Sequence, residues 1–194
     1  MIRELKTAAI AALALTIVLG LAYPLAMTGA SQLLFPNKAD GSVIKRDGKA
    51  VGSRLIGQDF SGNPGYFQSR PSVTDYNPSA TFFNNQGPNQ KKLADQLKGY
   101  LDDYLKRERP FTPGLTAAQV PPDAVTTSAS GVDPDISEAN ARIQANRVAR
   151  ERHLPLKRVL ELVDGAASRP LLGLAGPKSI NVLELNLALD REAR

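Results

Sequence analysis

The chain has no cysteine and a single histidine among its 194 residues. It therefore forms no disulfide bond, and it lacks the paired Cys and His ligands of a structural zinc centre. A metal site built only from oxygen ligands stays open at this point. Any folded domain must be held together by packing, by hydrogen bonds or by partners rather than by cross-links.

Charge is absent from one long stretch near the N-terminus, between Lys6 and Lys38. Residues 7–27 read TAAIAALALTIVLGLAYPLAM, and about 20 apolar residues suffice to cross a bilayer as a helix. We therefore predict a short N-terminus over 1–6, a transmembrane helix over 7–30 in contact with membrane lipid, and one mixed α/β domain over 31–194.

A cleaved secretory signal peptide is the alternative, with Thr28-Gly29-Ala30 as its cleavage site. Its apolar core is usually only about 7–15 residues long, so the longer run here favours an anchor. Arg3 and Lys6 favour a cytoplasmic N-terminus, because basic residues beside a span tend to stay in the cytoplasm. We expect a single-pass protein of the inner (cytoplasmic) membrane whose domain is extracytoplasmic, in the periplasm.

The formal net charge of +5 does not indicate a nucleic-acid partner. Basic and acidic residues alternate, as in QKKLADQLKGYLDDYLKRER over 90–109, which is typical of a solvated helix face. In the same region, leucines recur every fourth residue and predict one helix from a cap at Asn89 to Arg109. A hairpin around Asp47-Gly48 and a packed, aromatic-rich irregular loop over 58–90 precede it.

Further along, residues 124–127 suggest a short strand and 128–131 a turn. Ser137 is a candidate N-cap for a helix over 138–152, and a second helix follows Pro155. The pattern of residues 181–190 suits either a strand or a helix capped by Asn181, and both remain open.

The sequence contains no catalytic constellation that stands out. The segment 176–179 (GPKS) resembles the end of a phosphate-binding loop, but Pro177 removes a donor amide. Asp133 and Asp135 flank a proline in the manner of a turn, and His153 stands at a helix end. We predict neither catalytic residues nor a metal site.

Several segments together resemble the C subunit of the Kdp potassium-transporting P-type ATPase. They occur in order: GLAYPLAMTG (20–29), SRLIGQDF (53–60), GYFQSRPS (65–72), DYNPSA (75–80), VTTSASGVDPDIS (125–137), the spacing of Gln144 and Arg147-Val148-Ala149, and NVLELNLALD (181–190). The chain departs from the usual family pattern at Asp135, where a histidine is common, and at Glu138, where a proline is common. It also departs at 81–90, where TFFNNQ leading into GPNQ replaces a Ser/Gly-rich stretch before a Gly-Pro-Thr-Asn element.

The resemblance implies a non-catalytic accessory subunit of a high-affinity, ATP-driven potassium uptake pump. Its implied partners are a channel-like potassium-binding subunit and a P-type ATPase subunit. It is implied to stabilise the complex and to raise the ATP affinity of the ATPase subunit, as a catalytic chaperone. No tightly bound cofactor is implied, and ATP is held through the ATPase subunit. The nucleotide contact implied for the family falls on Gln144, with Ser128, Ser130 and Gly131 nearby.

The predicted orientation conflicts with a direct ATP contact, because a periplasmic Gln144 never meets cytosolic nucleotide. We expect an indirect effect instead, in which the subunit favours one pump conformation and ATP affinity follows by linkage. The alternative from another class is an independent, membrane-anchored periplasmic binding protein or enzyme.

Overall fold

The computed structural model describes residues 1–80, 85–168 and 178–192. The chain divides into two compact units, Met1–Val51 and Gly52–Arg194.

The N-terminal unit begins with one long apolar helix. It comprises α1 (Ile2–Ile17), a π-helical turn (Val18–Ala22) and α2 (Tyr23–Leu34). Pro24 has no N–H to donate to the carbonyl one turn earlier, and that carbonyl lies in the π-helical turn. The missing hydrogen bond explains the local widening of the helix. The whole helix spans 33 residues with a mean hydropathy of 2.2, and it is the one described helix long and apolar enough to cross a membrane. This agrees with the predicted apolar helix.

A short helix α3 (Pro36–Ala39) leads into a hairpin formed by β1 (Val43–Arg46) and β2 (Lys49–Ser53). The backbone φ angles are +52° at Asp47 and +77° at Gly48. Positive φ at both central positions is the type I′ turn, whose twist matches that of the flanking strands, so the predicted hairpin is confirmed.

The second unit contains the remaining helices and a two-stranded antiparallel sheet. In chain order its elements are α4 (Lys91–Glu108), two 3₁₀ turns (Ala117–Gln119 and Pro122–Ala124), β3 (Asp135–Ser137), α5 (Glu138–Glu151), α6 (Leu156–Ala166), β4 (Ser179–Asn181) and α7 (Val182–Glu192). Strand β3 pairs with β4, so that Ile136 lies opposite Ile180 and both side chains are buried. The mixed α/β character predicted from the sequence is confirmed.

The main core lies between α5, α6, α7 and the small sheet. Its buried members include Val148 on α5, Val159 and Val163 on α6, and Leu185 and Leu189 on α7. These positions recur at helical spacing, so each helix presents one apolar stripe to the others. A smaller cluster joins the last turns of α4 to the 3₁₀ turns through Tyr104, Leu105, Leu115 and Ala124.

Two predictions about helix starts are confirmed by their caps. The Ser137 hydroxyl accepts a hydrogen bond from the Asn140 amide at 3.1 Å, at the beginning of α5. The Asn181 side chain accepts one from the Glu184 amide at 3.1 Å. Of the two structures left open for residues 181–190, the helix is the one that forms.

Two other predictions are wrong. Helix α4 takes Gln90 rather than Asn89 as its N-cap, without a side-chain hydrogen bond at the cap. The strand suggested over 124–127 does not form, because Pro122 opens a 3₁₀ turn and its carbonyl accepts hydrogen bonds from the Thr126 amide and hydroxyl. A proline at the start of a turn fixes φ near the helical value, and this outweighed the β-branched residues that follow.

Candidate functional site

Helix α5 carries the residue implied for nucleotide contact in a row of buried polar side chains. Asn140, Gln144 and Arg147 are spaced by four and three residues, which places them on one face of the helix. Their exposed fractions are 1%, 0% and 1%. A polar face this deeply buried requires hydrogen-bond partners for every group, and the surrounding segments provide them.

The Arg147 guanidinium is the centre of this network. Its Nε lies 3.1 and 3.2 Å from the two carboxylate oxygens of Glu108, the last residue of α4. Its Nη1 donates to the carbonyls of Pro64 and Tyr66, and its Nη2 donates to Gln144 Oε1 at 2.9 Å. Burial lowers the pKa of Arg147 from its ordinary value, and the Glu108 carboxylate acts in the opposite direction. The guanidinium remains charged, since arginine does not lose its proton in proteins.

Gln144 uses its whole hydrogen-bonding capacity inside the domain. Its Oε1 accepts from the Gln68 amide at 2.7 Å and from Arg147 Nη2. Its Nε2 donates to the Gln68 carbonyl at 3.1 Å and to Asn140 Oδ1 at 2.9 Å. A carboxamide offers two donor hydrogens and two acceptor lone pairs, and all four are occupied.

Helix α7 repeats this arrangement on the neighbouring residue. The Asn186 side chain accepts from the Phe67 amide at 2.8 Å and donates to the Phe67 carbonyl at 3.0 Å. Two side-chain amides, Asn186 and Gln144, thus pair with the consecutive backbone units of Phe67 and Gln68. These residues lie in the irregular loop over 54–80, which forms no helix and no strand. The helices therefore provide the backbone partners that a sheet would otherwise supply.

The network continues from Asn140 towards the start of α5. Asn140 Oδ1 also accepts from the Tyr104 hydroxyl at 2.9 Å, and its Nδ2 donates to Asp123 at 2.9 Å. The Asp123 carboxylate in turn accepts from the amide and the hydroxyl of Ser137. Burial, followed by the negative charge of Glu108, raises the pKa of Tyr104 well above its usual range. Its hydroxyl therefore stays protonated and donates to Asn140 at physiological pH.

The other residues of the implied site form a tight turn. Ser128 Oγ accepts from the Gly131 amide at 2.9 Å, and Ser130 Oγ accepts from the Val132 amide at 3.2 Å. The Gly131 carbonyl accepts from the Ser72 hydroxyl at 2.6 Å, which ties the turn to the irregular loop. Among the described residues, no hydrogen bond joins this turn to Gln144.

Glycine is required at position 131 for two reasons. Its φ angle is +73°, and a Cβ atom would lie 2.5 Å from the Thr74 hydroxyl oxygen. Next to it, the Asp133 carboxylate forms an ion pair with Arg70 at 2.8 Å. The turn therefore holds the irregular loop in place. The hydroxyl oxygens of Ser128 and Ser130 and the carbonyl of Gly131 all accept hydrogen bonds from groups of this same chain.

Two residues of the remaining sequence motifs, Asp133 and Lys178, have partners in the structure. Asp133 accepts from the Asp135 amide at 3.0 Å, as expected for a turn. Gly176 and Pro177 lie outside the described residues, whereas Lys178 Nζ lies 3.6 Å from Glu138 Oε2. Within residues 1–80, 85–168 and 178–192, no cluster of three or more His, Cys, Asp or Glu side chains is arranged to hold a metal ion.

Sequence reasoning missed Glu108 as the partner of Arg147. The available signal was positional, because Leu101, Tyr104, Leu105 and Glu108 follow one another at helical spacing along the inner stripe of α4. A carboxylate in place of the next apolar residue indicates a buried charge that requires a cation. The sequence did not show which cation that was.

The chain is similar to one protein family over nearly its whole length. A family model described as "K+-transporting ATPase, c chain" matches residues 5–191. The chain is 52% identical over 189 residues to the potassium-transporting ATPase KdpC subunit of Polaromonas naphthalenivorans, covering 96% of this chain and 93% of the relative. It is 47% identical to that of Bradyrhizobium diazoefficiens, covering 100% and 99%, and 49% identical to that of Caulobacter vibrioides, covering 98% and 94%.

These similarities extend over nearly the whole length of both proteins in each case. A subunit of a potassium-transporting ATPase is the class they define. The chain belongs to the family of KdpC subunits of the potassium-transporting ATPase.

Proposed function

We propose that this chain is the non-catalytic accessory subunit of an ATP-driven potassium uptake pump. In this role it stabilises the complex of a channel-like potassium-binding subunit and a P-type ATPase subunit. It also raises the ATP affinity of the ATPase subunit without touching the nucleotide. The helix Ile2–Leu34 is its inner-membrane anchor, and the following domain lies in the periplasm.

One observation carries the indirect mechanism. Gln144 has an exposed fraction of 0%, and its side chain is fully hydrogen-bonded to Gln68, Asn140 and Arg147. A nucleotide contact would need at least one of these bonds to break and a buried amide to reach the surface. Leaving buried polar groups without partners costs about 1–3 kcal/mol each, which opposes such a rearrangement.

An effect on ATP affinity then arises through conformation. A subunit that binds one state of the pump more tightly increases the population of that state. If that state also binds ATP more tightly, the two binding events are coupled and the coupling is reciprocal. The polar network contributes by holding the irregular loop in a single arrangement, available for contact with the pump.

A pair of matched variants separates direct from indirect action. Gln144→Ala removes the two hydrogen bonds to the backbone of Gln68, and Asn186→Ala removes the equivalent two to Phe67. The purified pump containing each variant is assayed for the KM for ATP and for retention of this subunit. We expect both variants to raise the KM, together with partial loss of the subunit. Gln144→Ala should have the larger effect, because it also removes the bonds to Asn140 and Arg147.

A different pattern would support direct contact. If only Gln144→Ala raised the KM, with the subunit fully retained, Gln144 would be a nucleotide ligand and the indirect mechanism would be wrong.

The orientation is tested separately by protease digestion of a C-terminal tag in intact cells, spheroplasts and lysed membranes. Digestion in intact spheroplasts is expected for a periplasmic domain. Protection until lysis would place the domain in the cytoplasm.

A further inference from the structure

A cavity of about 250 Å³ lies between the irregular loop and helix α4, and neither the polar network nor the serine–glycine turn accounts for it. Its lining includes one buried amide, three tyrosine side chains and three carboxylates: Gln68; Tyr76, Tyr100 and Tyr104; and Asp59, Asp75 and Asp103. Arg107 also lines it. We refer to it as the Gln68 cavity.

Gln68 leaves an acceptor without a donor in this cavity. Its side chain is buried, with an exposed fraction of 6% for the residue. Its Nε2 donates to the carbonyls of Phe60, Asn63 and Tyr66, so the positions of nitrogen and oxygen are fixed. Within the part of the chain that the structure describes, none of the hydrogen bonds of Gln68 has its Oε1 as the acceptor, and Gln68 lines the cavity. A donor entering the cavity finds an acceptor whose side chain is already held in place through its Nε2.

The charges around the cavity favour a cation. Asp75 and Asp103 are exposed and have no ion-pair partner among the described residues, and Asp59 accepts only the amide of Ser61 nearby. Arg107 is the single basic residue in the lining. Its Nε is already bonded to Glu108 at 2.8 Å, and its guanidinium lies 5.2 Å from the centre of the Tyr104 ring.

A bare metal ion does not fit these observations. The three aspartates are not arranged as a ligand cluster. The volume of about 250 Å³ equals several water molecules, each of which occupies roughly 30 Å³ in the liquid. Tyrosine rings in the lining suit an organic cation, because the ring face attracts ammonium and guanidinium groups. Burial, followed by the charge of Asp59, raises the pKa of Tyr76 to about 12, so this ring stays neutral.

We propose that the Gln68 cavity binds the guanidinium or ammonium group of a basic side chain that projects from another subunit of the pump. The charged head donates to Gln68 Oε1 and pairs with Asp75 and Asp103, while its aliphatic stem packs on the tyrosines. The inference rests on the proposed function, because it requires a partner subunit. An open cavity beside exposed carboxylates is accessible to a side chain from a facing protein.

The first test measures the recognition itself, using the full chain in nanodiscs. Nα-acetyl-arginine methylamide is titrated by saturation-transfer NMR, with the citrulline analogue as its neutral isostere. We expect the arginine probe to bind at least tenfold more tightly than the citrulline probe. The double variant Asp75→Asn/Asp103→Asn should weaken its binding about fivefold or more. The matched control Asp95→Asn/Asp102→Asn removes two charges from α4 residues outside the cavity and should leave the affinity unchanged.

The second test identifies the source of the cation. A photo-crosslinking amino acid replaces Asp103 in the assembled pump, and the crosslinked peptide is expected to come from another subunit and to contain an arginine or lysine near the crosslink. Exchanging charges, with Asp103→Arg here and the basic residue changed to aspartate there, should restore subunit retention lost in either single variant.

Other outcomes would overturn the inference. Equal binding of the arginine and citrulline probes would mean that the cavity does not recognise a cation. If free spermidine bound at least tenfold more tightly than the arginine probe and no crosslink formed to another subunit, the cavity would be a polyamine site. Failure of the chain to copurify with any pump subunit would refute the proposed function, whereas the probe titration would still report on the cavity.

Discussion

The buried ion pair between Arg147 and Glu108 gives the most exacting prediction of the structure. The two side chains are 1% and 0% exposed, and they join α5 to the end of α4. Two variants break the pair from opposite sides. Glu108→Gln preserves the shape and one acceptor oxygen but removes the negative charge. Arg147→Met preserves most of the volume but removes every donor of the guanidinium.

The two variants should not cost the same. Breaking a buried pair by removing one partner typically costs about 3–5 kcal/mol. In Glu108→Gln, Arg147 keeps its bonds to the carbonyls of Pro64 and Tyr66, which places the loss near 3 kcal/mol. In Arg147→Met, those carbonyls lose their donor and the Glu108 carboxylate keeps only Arg107, so about 5 kcal/mol or more is expected.

The measurement is thermal unfolding of the full chain in detergent, followed by circular dichroism. For a unit of this size, 1 kcal/mol corresponds to roughly 4 °C in Tm, so decreases of about 12 °C and about 20 °C are expected. Lys98→Gln, which breaks an exposed pair with Asp102, serves as the control and should change Tm by less than about 3 °C. A loss below about 1 kcal/mol for either buried variant, or a smaller loss for Arg147→Met than for Glu108→Gln, would refute this reasoning.

Three further predictions concern single residues. Gly131→Ala should destabilise the domain by more than about 1 kcal/mol, because φ is positive there and the added Cβ would lie close to the Thr74 hydroxyl. Gly62→Ala is the control, since a Cβ there meets no atom within 4 Å, and it should have little effect in the same melting experiment. Ser137→Ala should cost about 1–2 kcal/mol in chemical denaturation through loss of the α5 cap, and Ser137→Asp should recover less than half, since Asp123 lies beside it. The pKa of Tyr76 is raised from 10.0 to about 12, so its contribution to the free energy of unfolding should be retained below about pH 10 and lost as the pH rises towards 12. Denaturation midpoints measured against pH should show this decrease, and Tyr76→Phe should make the decrease smaller.

The sequence was sufficient where local rules decide the structure. The apolar run between Lys6 and Lys38, the Asp47-Gly48 turn and the Ser137 cap each act through neighbouring residues, and each appears in the structure as expected. The leucine stripe likewise predicted α4 to within one residue at each end. Local pattern failed at 124–127, where the preceding proline imposed a 3₁₀ turn.

The candidate site was harder to predict, because its partners are distant in sequence. The Gln144 and Gln68 bonds join residues 76 positions apart, and the Asn186 and Phe67 bonds join residues 119 apart. No periodicity within one element reveals such pairs. The small β3–β4 sheet was missed for a further reason, because a three-residue strand carries too little pattern to be recognised.

The pairing of Phe67 and Gln68 with side chains of α5 and α7 also has a consequence for the order of folding. The loop is synthesised long before its partners, and loop-closure entropy must be paid before these bonds can form. The loop should therefore become ordered late, after α5 and α7 have packed, with slow folding dominated by long-range contacts. A chain that ends before α7 leaves the Phe67 amide and carbonyl without Asn186, so the last helix determines when the N-terminal half of the domain is complete.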